Sequence, residues 1–186
     1  MEYADAKAYL IAMRKALYFL GILNDSDIDW LVTAGSRREI GAGAHLIDEG
    51  RPIDSIFLVI DGAFAVESAT LGGRQIAQLM SGEVMGEMSF VDSAPPAATV
   101  KALERSLVLA IPRKRLSAKL AEDSGFASRF YRALSMFLAD RLRNTVTSMG
   151  NGFRPPHEGE LQDEIMDHIA MAGTRFEWIQ QRLRSA

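Results

Sequence analysis

The chain has 186 residues, 48% of them hydrophobic and 24% charged, with a formal net charge of −3 and no cysteine. This is the composition of an ordinary globular chain, one domain plus an extension, and it excludes a disulfide framework, a thiolate nucleophile and any Cys-based zinc or iron–sulfur site. Nothing in the charge balance advertises a nucleic-acid partner, and no apolar run approaches the roughly 18–20 residues of a membrane span.

The opening "MEYADAKAYLIAMRKALYFLG" lacks the parts of a signal peptide, so a cytoplasmic protein with no membrane attachment is expected. Tyr9, Leu10, Met13, Ala16, Leu17 and Leu20 recur at intervals of three and four, which predicts an amphipathic helix over 4–20 that Gly21 stops. "NDSDIDWLVTAG" predicts a second helix, with Asp25 or Ser26 as N-cap, Ile28, Leu31 and Val32 as its buried face, and Gly35 as its end.

From Glu39 the period changes. "HLIDEGRPIDSIFLVIDGAFAVES" and "RQIAQLMSGEVMGEMSF" are short apolar runs divided by Gly, Asp and Pro, and the pairs Asp61-Gly62 and Gly72-Gly73 read as hairpin signals. "ATVKALERSLVLAIP" adds two strands with a turn near Glu104-Arg105, and Pro112 ends the strand region. Strands so short and so evenly spaced predict a small antiparallel β-barrel of jelly-roll type.

A helical period then returns. Phe126, Phe130, Leu134, Phe137, Leu138, Leu142, Val146 and Met149 form a long apolar stripe. A small barrel offers little surface to cover it, so a twofold homodimer is expected through Phe130, Leu134, Phe137, Leu138 and Leu142; the alternative is that the whole stripe lies on the chain's own barrel. "GNGFRPPHEG" reads as a linker, and 160–184 as one or two short amphipathic helices with Leu161, Ile165, Ile169, Phe176, Ile179 and Leu183 as apolar positions. The fold class is therefore α+β: N-terminal helices over 1–36, the barrel over 37–112, helices including the long one over 113–149, and a linker with a helical tail over 150–186.

Little here supports catalysis. The three histidines, His45 at a strand start, His157 in the linker and His168 in the tail, cannot supply the neighbouring strand ligands of a metal-binding barrel, so no metal is expected. No Ser-His-Asp order has local support, and Glu83 and Glu87 lie four apart in one Gly-flanked loop. That loop, "MGEMSFVDSAPPAATV", is the informative feature. Gly86 permits close backbone approach, and "EMSF" can form a helical turn whose free N–H groups attract a phosphate. Glu87 can accept from a sugar hydroxyl, or it can simply complement the helix N-terminus; both readings stand.

"GEVMGEMSFVDSAPPAATVKA" resembles the phosphate-binding cassette of the cyclic-nucleotide-binding domain family. The resemblance extends upstream through "GAGAHLIDEGRPIDSIFLVIDGAFAV" and onward into the long helix, from Phe19 to Met149. It implies the family's barrel and ligand contacts at Gly86, Glu87, Met88, Ser89, Ala97, Ala98 and Thr99, with Glu87 as the ribose acceptor. The ligand implied is cyclic AMP or cyclic GMP; no other cofactor is called for. The family's phosphate-neutralising arginine falls on Pro96, and the Ser or Thr after it on Ala97. Loss of two charge-assisted hydrogen bonds of roughly 1.5–3 kcal/mol each weakens a cyclic nucleotide by on the order of 10²- to 10⁴-fold. Arg74 is the best-placed substitute cation; Arg51 and the run Arg113 to Arg115 read as surface.

In the family's transcription factors a winged helix follows the long helix. Only 37 residues follow Met149, and Arg154, Arg175, Arg182 and Arg184 are offset by Glu158, Glu160, Asp163, Glu164, Asp167 and Glu177. No winged helix and no direct nucleic-acid contact are expected; the tail reads as a clasp on its own domain, a dimer mate or a partner protein. The expected function is a non-catalytic regulatory or adaptor module whose pocket binds cyclic nucleotide weakly, binds something else, or binds nothing, acting through an unidentified protein partner. The alternative is a working cAMP or cGMP sensor using Glu87, backbone amides and Arg74; an enzyme or DNA-binding regulator ranks below both.

Overall fold

Two four-stranded antiparallel sheets, stacked as a jelly roll, form the centre of the computed structural model, which describes residues 19–149 and 163–184. The first sheet has the order β1-β8-β3-β6 and the second β2-β7-β4-β5. Their strands are β1 (Ser36–Ile40), β2 (His45–Ile47), β3 (Ser55–Asp61), β4 (Ala63–Ser68), β5 (Arg74–Met80), β6 (Val84–Met85), β7 (Thr99–Ala102) and β8 (Ser106–Pro112). Among the described residues the complete helices beside them are α1 (Asp25–Ala34), α2 (Glu87–Asp92), α3 (Arg113–Glu122), α4 (Ser124–Met149) and α5 (Asp163–Arg184).

The interiors of β3 and β8, residues 56–60 and 107–111, are apolar without a break because both faces of their sheet are covered. Alternation sends Ile56, Leu58, Ile60, Leu107, Leu109 and Ile111 into one buried cluster with the helices. Phe57, Val59, Val108 and Ala110 join Phe64, Leu79 and Val100 in the second cluster, between the sheets. Each fully buried side chain of this size contributes roughly 1.5–3 kcal/mol.

Asp61-Gly62 is not a hairpin. It is a corner, because β3 belongs to the first sheet and β4 to the second. Gly62 is needed there: its φ is +96°, and a Cβ would lie 2.2 Å from the Ser106 Oγ. Gly72-Gly73 does turn a hairpin, between β4 and β5, with φ of +69° and +75°. The N-cap of α1 is Asn24, one residue before the expected position. Its side chain accepts the Asp27 N–H at 2.9 Å while the Asp27 carboxylate accepts the Asn24 N–H at 2.9 Å, a capping box. Ile28, Leu31 and Val32 are buried and Gly35 closes the helix, as expected. The first predicted helix lies outside the described residues except at its end, where Phe19 and Leu20 are helical and buried.

The long-helix stripe needs correction. Phe130, Leu134 and Phe137 are 1%, 2% and 3% exposed within the chain itself, so they cannot form a dimer face. Phe130 meets Phe19, Phe90 and Phe126 with ring centroids 5.6–6.1 Å apart. The surface that covers the stripe comes in part from α1 and from the tail. α5 is one helix, and it buries Ala172, Phe176, Ile179 and Leu183 in the same cluster as Phe130, Leu134 and Phe137. Polar contacts fix its position: Arg175 donates to the carbonyls of Leu20 and Leu23 at 3.0 and 2.6 Å, and Gln180 to that of Ile60 at 2.9 Å. The tail is a clasp on its own domain. Of the five dimer candidates, Leu138 is partly buried and Leu142 is 65% exposed. Val146, Met149, His157, Leu161, Ile165, His168 and Ile169 lie outside what is described of side chains. No helix among the described residues is long and apolar enough to cross a membrane.

Candidate functional site

The site begins where β6 ends. Gly86 takes φ +80°, and a Cβ on it would sit 2.6 Å from Ile53 Cδ1 and 3.3 Å from the Ser55 carbonyl oxygen. Only glycine satisfies both the backbone angle and the space. α2 follows, opened by the Phe90 N–H donating to the Gly86 carbonyl at 3.2 Å and stopped by Ser93, whose φ is +59°. The predicted turn "EMSF" is thus real and extends to Asp92.

Glu87 stands at the start of α2 and is 2% exposed. Arg141 of α4 reaches it: one guanidinium nitrogen donates to Glu87 Oε1 at 2.5 Å and the other to the Val84 carbonyl at 3.1 Å. The guanidinium also lies over the Phe137 ring, 4.6 Å from its centroid. Burial pushes the Glu87 carboxyl above its ordinary value. Arg141 and the backbone N–H groups of Glu87 and Met88 pull the other way, and the neighbouring Glu83 adds to the rise. The carboxylate complements its own helix N-terminus, and its Oε1 also accepts from a cation of the long helix.

Arg113 anchors the other side of α2. It donates to the Ser89 carbonyl at 2.7 Å and to the Ile53 carbonyl at 3.3 Å, and its guanidinium covers the Phe90 ring. Arg115 donates to the Ala34 carbonyl at 2.9 Å. Arg113 and Arg115 therefore tie into the framework through these carbonyls, although Arg115, like Lys114, is exposed.

The far half of the cassette is held by the turn after β2. The Gly50 N–H donates to the Pro96 carbonyl at 2.8 Å, and the Glu49 N–H to Thr99 Oγ1 at 3.1 Å. Ala97 is exposed and Ala98 half-buried. Among the other candidates, Ser89 is buried, while the Met88 side chain is 55% exposed. Arg74 opens the edge strand β5, where it pairs with Ser68 of β4; it is exposed, and among the described residues no side-chain hydrogen bond or ion pair joins it to the cassette. Arg51 is exposed and lies 3.4 Å from Asp48. His45 is exposed and hydrogen-bonded to Asp48, and no group of three His, Cys, Asp or Glu among the described residues could hold a metal ion.

Arg141 and Arg113 escaped the sequence reading. For Arg141 a signal existed: it continues the spacing of Phe130, Leu134 and Phe137, placing a charge on a face that is otherwise apolar.

Residues 37–123 match the family described as cyclic nucleotide-binding domain. A cyclic nucleotide-binding domain from Methylobacillus flagellatus KT superposes with a TM-score of 0.66 at 22% identity, over 81% of this chain and 88% of that one. The Thermus thermophilus catabolite activator protein does so with a TM-score of 0.60 at 23% identity, over 91% and 87%. Proteins of Mycobacterium tuberculosis and Mycobacterium bovis, described as uncharacterized NTE family proteins, are 28% identical over 119 residues, which is 64% of this chain. The chain spans about 20% of the length of those curated relatives.

Proposed function

We propose that this chain is a non-catalytic regulatory module whose pocket binds cyclic nucleotides weakly, or takes another ligand or none, and which acts through protein contacts. The match of residues 37–123 to the cyclic nucleotide-binding family and the shared fold support a regulatory class. The observation that carries the finer reading is that neither charged element of a cyclic-nucleotide site stands ready. Pro96 holds the position the resemblance gives to the phosphate-binding arginine, and Glu87 is paired with Arg141. Backbone N–H groups of a six-residue helix cannot replace a missing cation.

The proposed protein contacts include a homodimer through what α4 leaves uncovered, Tyr131, Leu138 and Leu142. Tyr131 and Leu142 are 47% and 65% exposed. The domain boundaries proposed are those of the sequence reading, with the tail counted as part of the same core.

A thermal melt in 1 mM cAMP or cGMP tests the pocket. A ligand at 100 times its dissociation constant stabilises a fold by about 2.7 kcal/mol, which moves a domain of this size by several degrees. The expected shift is under about one degree. A shift of several degrees contradicts the reading.

A further inference from the structure

We infer that Arg51 is the cation this pocket offers to a phosphate, supplied from the turn after β2 instead of from position 96. This rests on the proposal above that the pocket takes cyclic nucleotides weakly, and it names the side chain that carries the weak binding.

The placement follows from the backbone. The Gly50 N–H donates to the Pro96 carbonyl at 2.8 Å, so the residue after Gly50 stands beside the position that the resemblance gives to the arginine. Consecutive Cα atoms are about 3.8 Å apart, a distance that an arginine side chain spans easily. The base from which this side chain springs is fixed. The Arg51 N–H donates to the Asp48 carbonyl at 3.2 Å, Gly50 takes φ +75°, and the Glu49 N–H donates to Thr99 Oγ1 at 3.1 Å. Ile53 lies against the cassette's start, since a Cβ on Gly86 would be 2.6 Å from its Cδ1. The turn therefore meets the cassette at both ends, at Gly86 and at Pro96 to Thr99.

The other cations of this region are committed or remote. Arg113 donates to the carbonyls of Ser89 and Ile53, and Arg141 to Glu87 and the Val84 carbonyl. Arg74 sits on the edge strand β5. Arg51 differs from all of these. Its side chain is 81% exposed, and it meets Asp48 Oδ2 at 3.4 Å, well beyond the length of a charge-assisted hydrogen bond. Asp48 has a shorter partner in His45 Nδ1, at 2.8 Å. The guanidinium can leave Asp48 at little cost and turn toward Pro96, Ala97 and Ala98, which offer a phosphate no charge of their own. The same exposure explains why the binding is weak: a solvated side chain on the rim must be ordered by the ligand it holds.

The test titrates cAMP and cGMP into the wild type, R51Q, R51K and D48N by ligand-observed NMR, with a thermal melt of each variant. A charge-assisted contact at so exposed a position corresponds to roughly three- to tenfold in affinity. R51Q is expected to lose that factor at an unchanged melting temperature, and R51K to lose less because it keeps the charge. D48N, which frees the guanidinium, is expected to bind more tightly than the wild type. Equal affinity of R51Q and wild type overturns the inference. So does a loss in R51Q that comes with a lowered melting temperature and no gain in D48N, because the turn and not the charge was then at work. A wild type that shows no saturation up to tens of millimolar also overturns it, while leaving the weak-pocket reading in place. Micromolar binding by the wild type would defeat the weak-pocket reading, and the ratio of R51Q to wild type would still judge Arg51.

Discussion

The carbonyl oxygen of Pro96 accepts the N–H of Gly50 at 2.8 Å, which fixes the cassette's far loop against the turn after β2. The backbone at position 96, which the resemblance aligns with the family's arginine, is thus already held. Pro96→Arg is expected to raise cAMP affinity at least tenfold, the lower end of what a charge-assisted fork contributes. Isothermal titration measures it. An unchanged constant would show that position 96 does not face the ligand.

Asp27 is 3% exposed, and Arg129 grips both its oxygens, at 2.6 and 2.8 Å. The same carboxylate completes the capping box of α1, so one pair joins helix start, cap and long helix. Arg129→Ala leaves this carboxylate buried without its cation. With Arg129 itself about a third exposed, the cost is discounted to about 2 kcal/mol. Urea unfolding checks it, with R129K expected between the two. A loss below about 0.5 kcal/mol would mean that water replaces the guanidinium freely.

The burial of Phe137 moves the test of dimerisation elsewhere. Phe137→Asp would place a charge in the chain's own core and unfold it, which says nothing about a partner. Leu142→Asp touches a side chain that is 65% exposed. It is expected to convert the proposed dimer to monomer in light scattering with the melting temperature of the monomer unchanged. A wild-type monomer defeats the dimer outright.

Much of this fold was legible in the chain because hydrophobic period and turn chemistry agree. The strands, the helix from Ser124 and the glycines at 62, 72, 73 and 86 stand where period and backbone angle require them. Legibility failed where the answer depends on pairing between distant segments. The stripe of α4 was visible, yet whether it faced a second chain or its own core depended on the clasp that Phe176, Ile179 and Leu183 supply from the tail. Asp61-Gly62 carries a turn signal that local sequence cannot distinguish from a corner between sheets. The assignment of Pro96 to the arginine position rests on the resemblance alone, whereas the Glu87–Arg141 pair, 54 residues apart, is a product of folding.

Glu87 also predicts a pH dependence of unusual sign. Its folded carboxyl is raised above the ordinary value of 4.5, chiefly by burial. The folded state then binds the proton more firmly than the unfolded chain. Stability carried by this group is full below 4.5 and is lost as pH rises through the folded value. Glu87→Gln removes that titration. Denaturant unfolding of wild type and E87Q across pH 4 to 8 is expected to show wild type losing ground to the variant as pH rises. The opposite slope would mean that the attraction of Arg141 outweighs burial.

The central claim is that the pocket, as the chain folds it, lacks what holds a cyclic nucleotide. Calorimetric titration of the wild-type protein with cAMP and then cGMP tests this most directly. The account predicts no saturable heat below the sub-millimolar range. Micromolar, stoichiometric binding of either nucleotide would contradict it, and would make the chain a ligand-gated switch that finds its cation elsewhere.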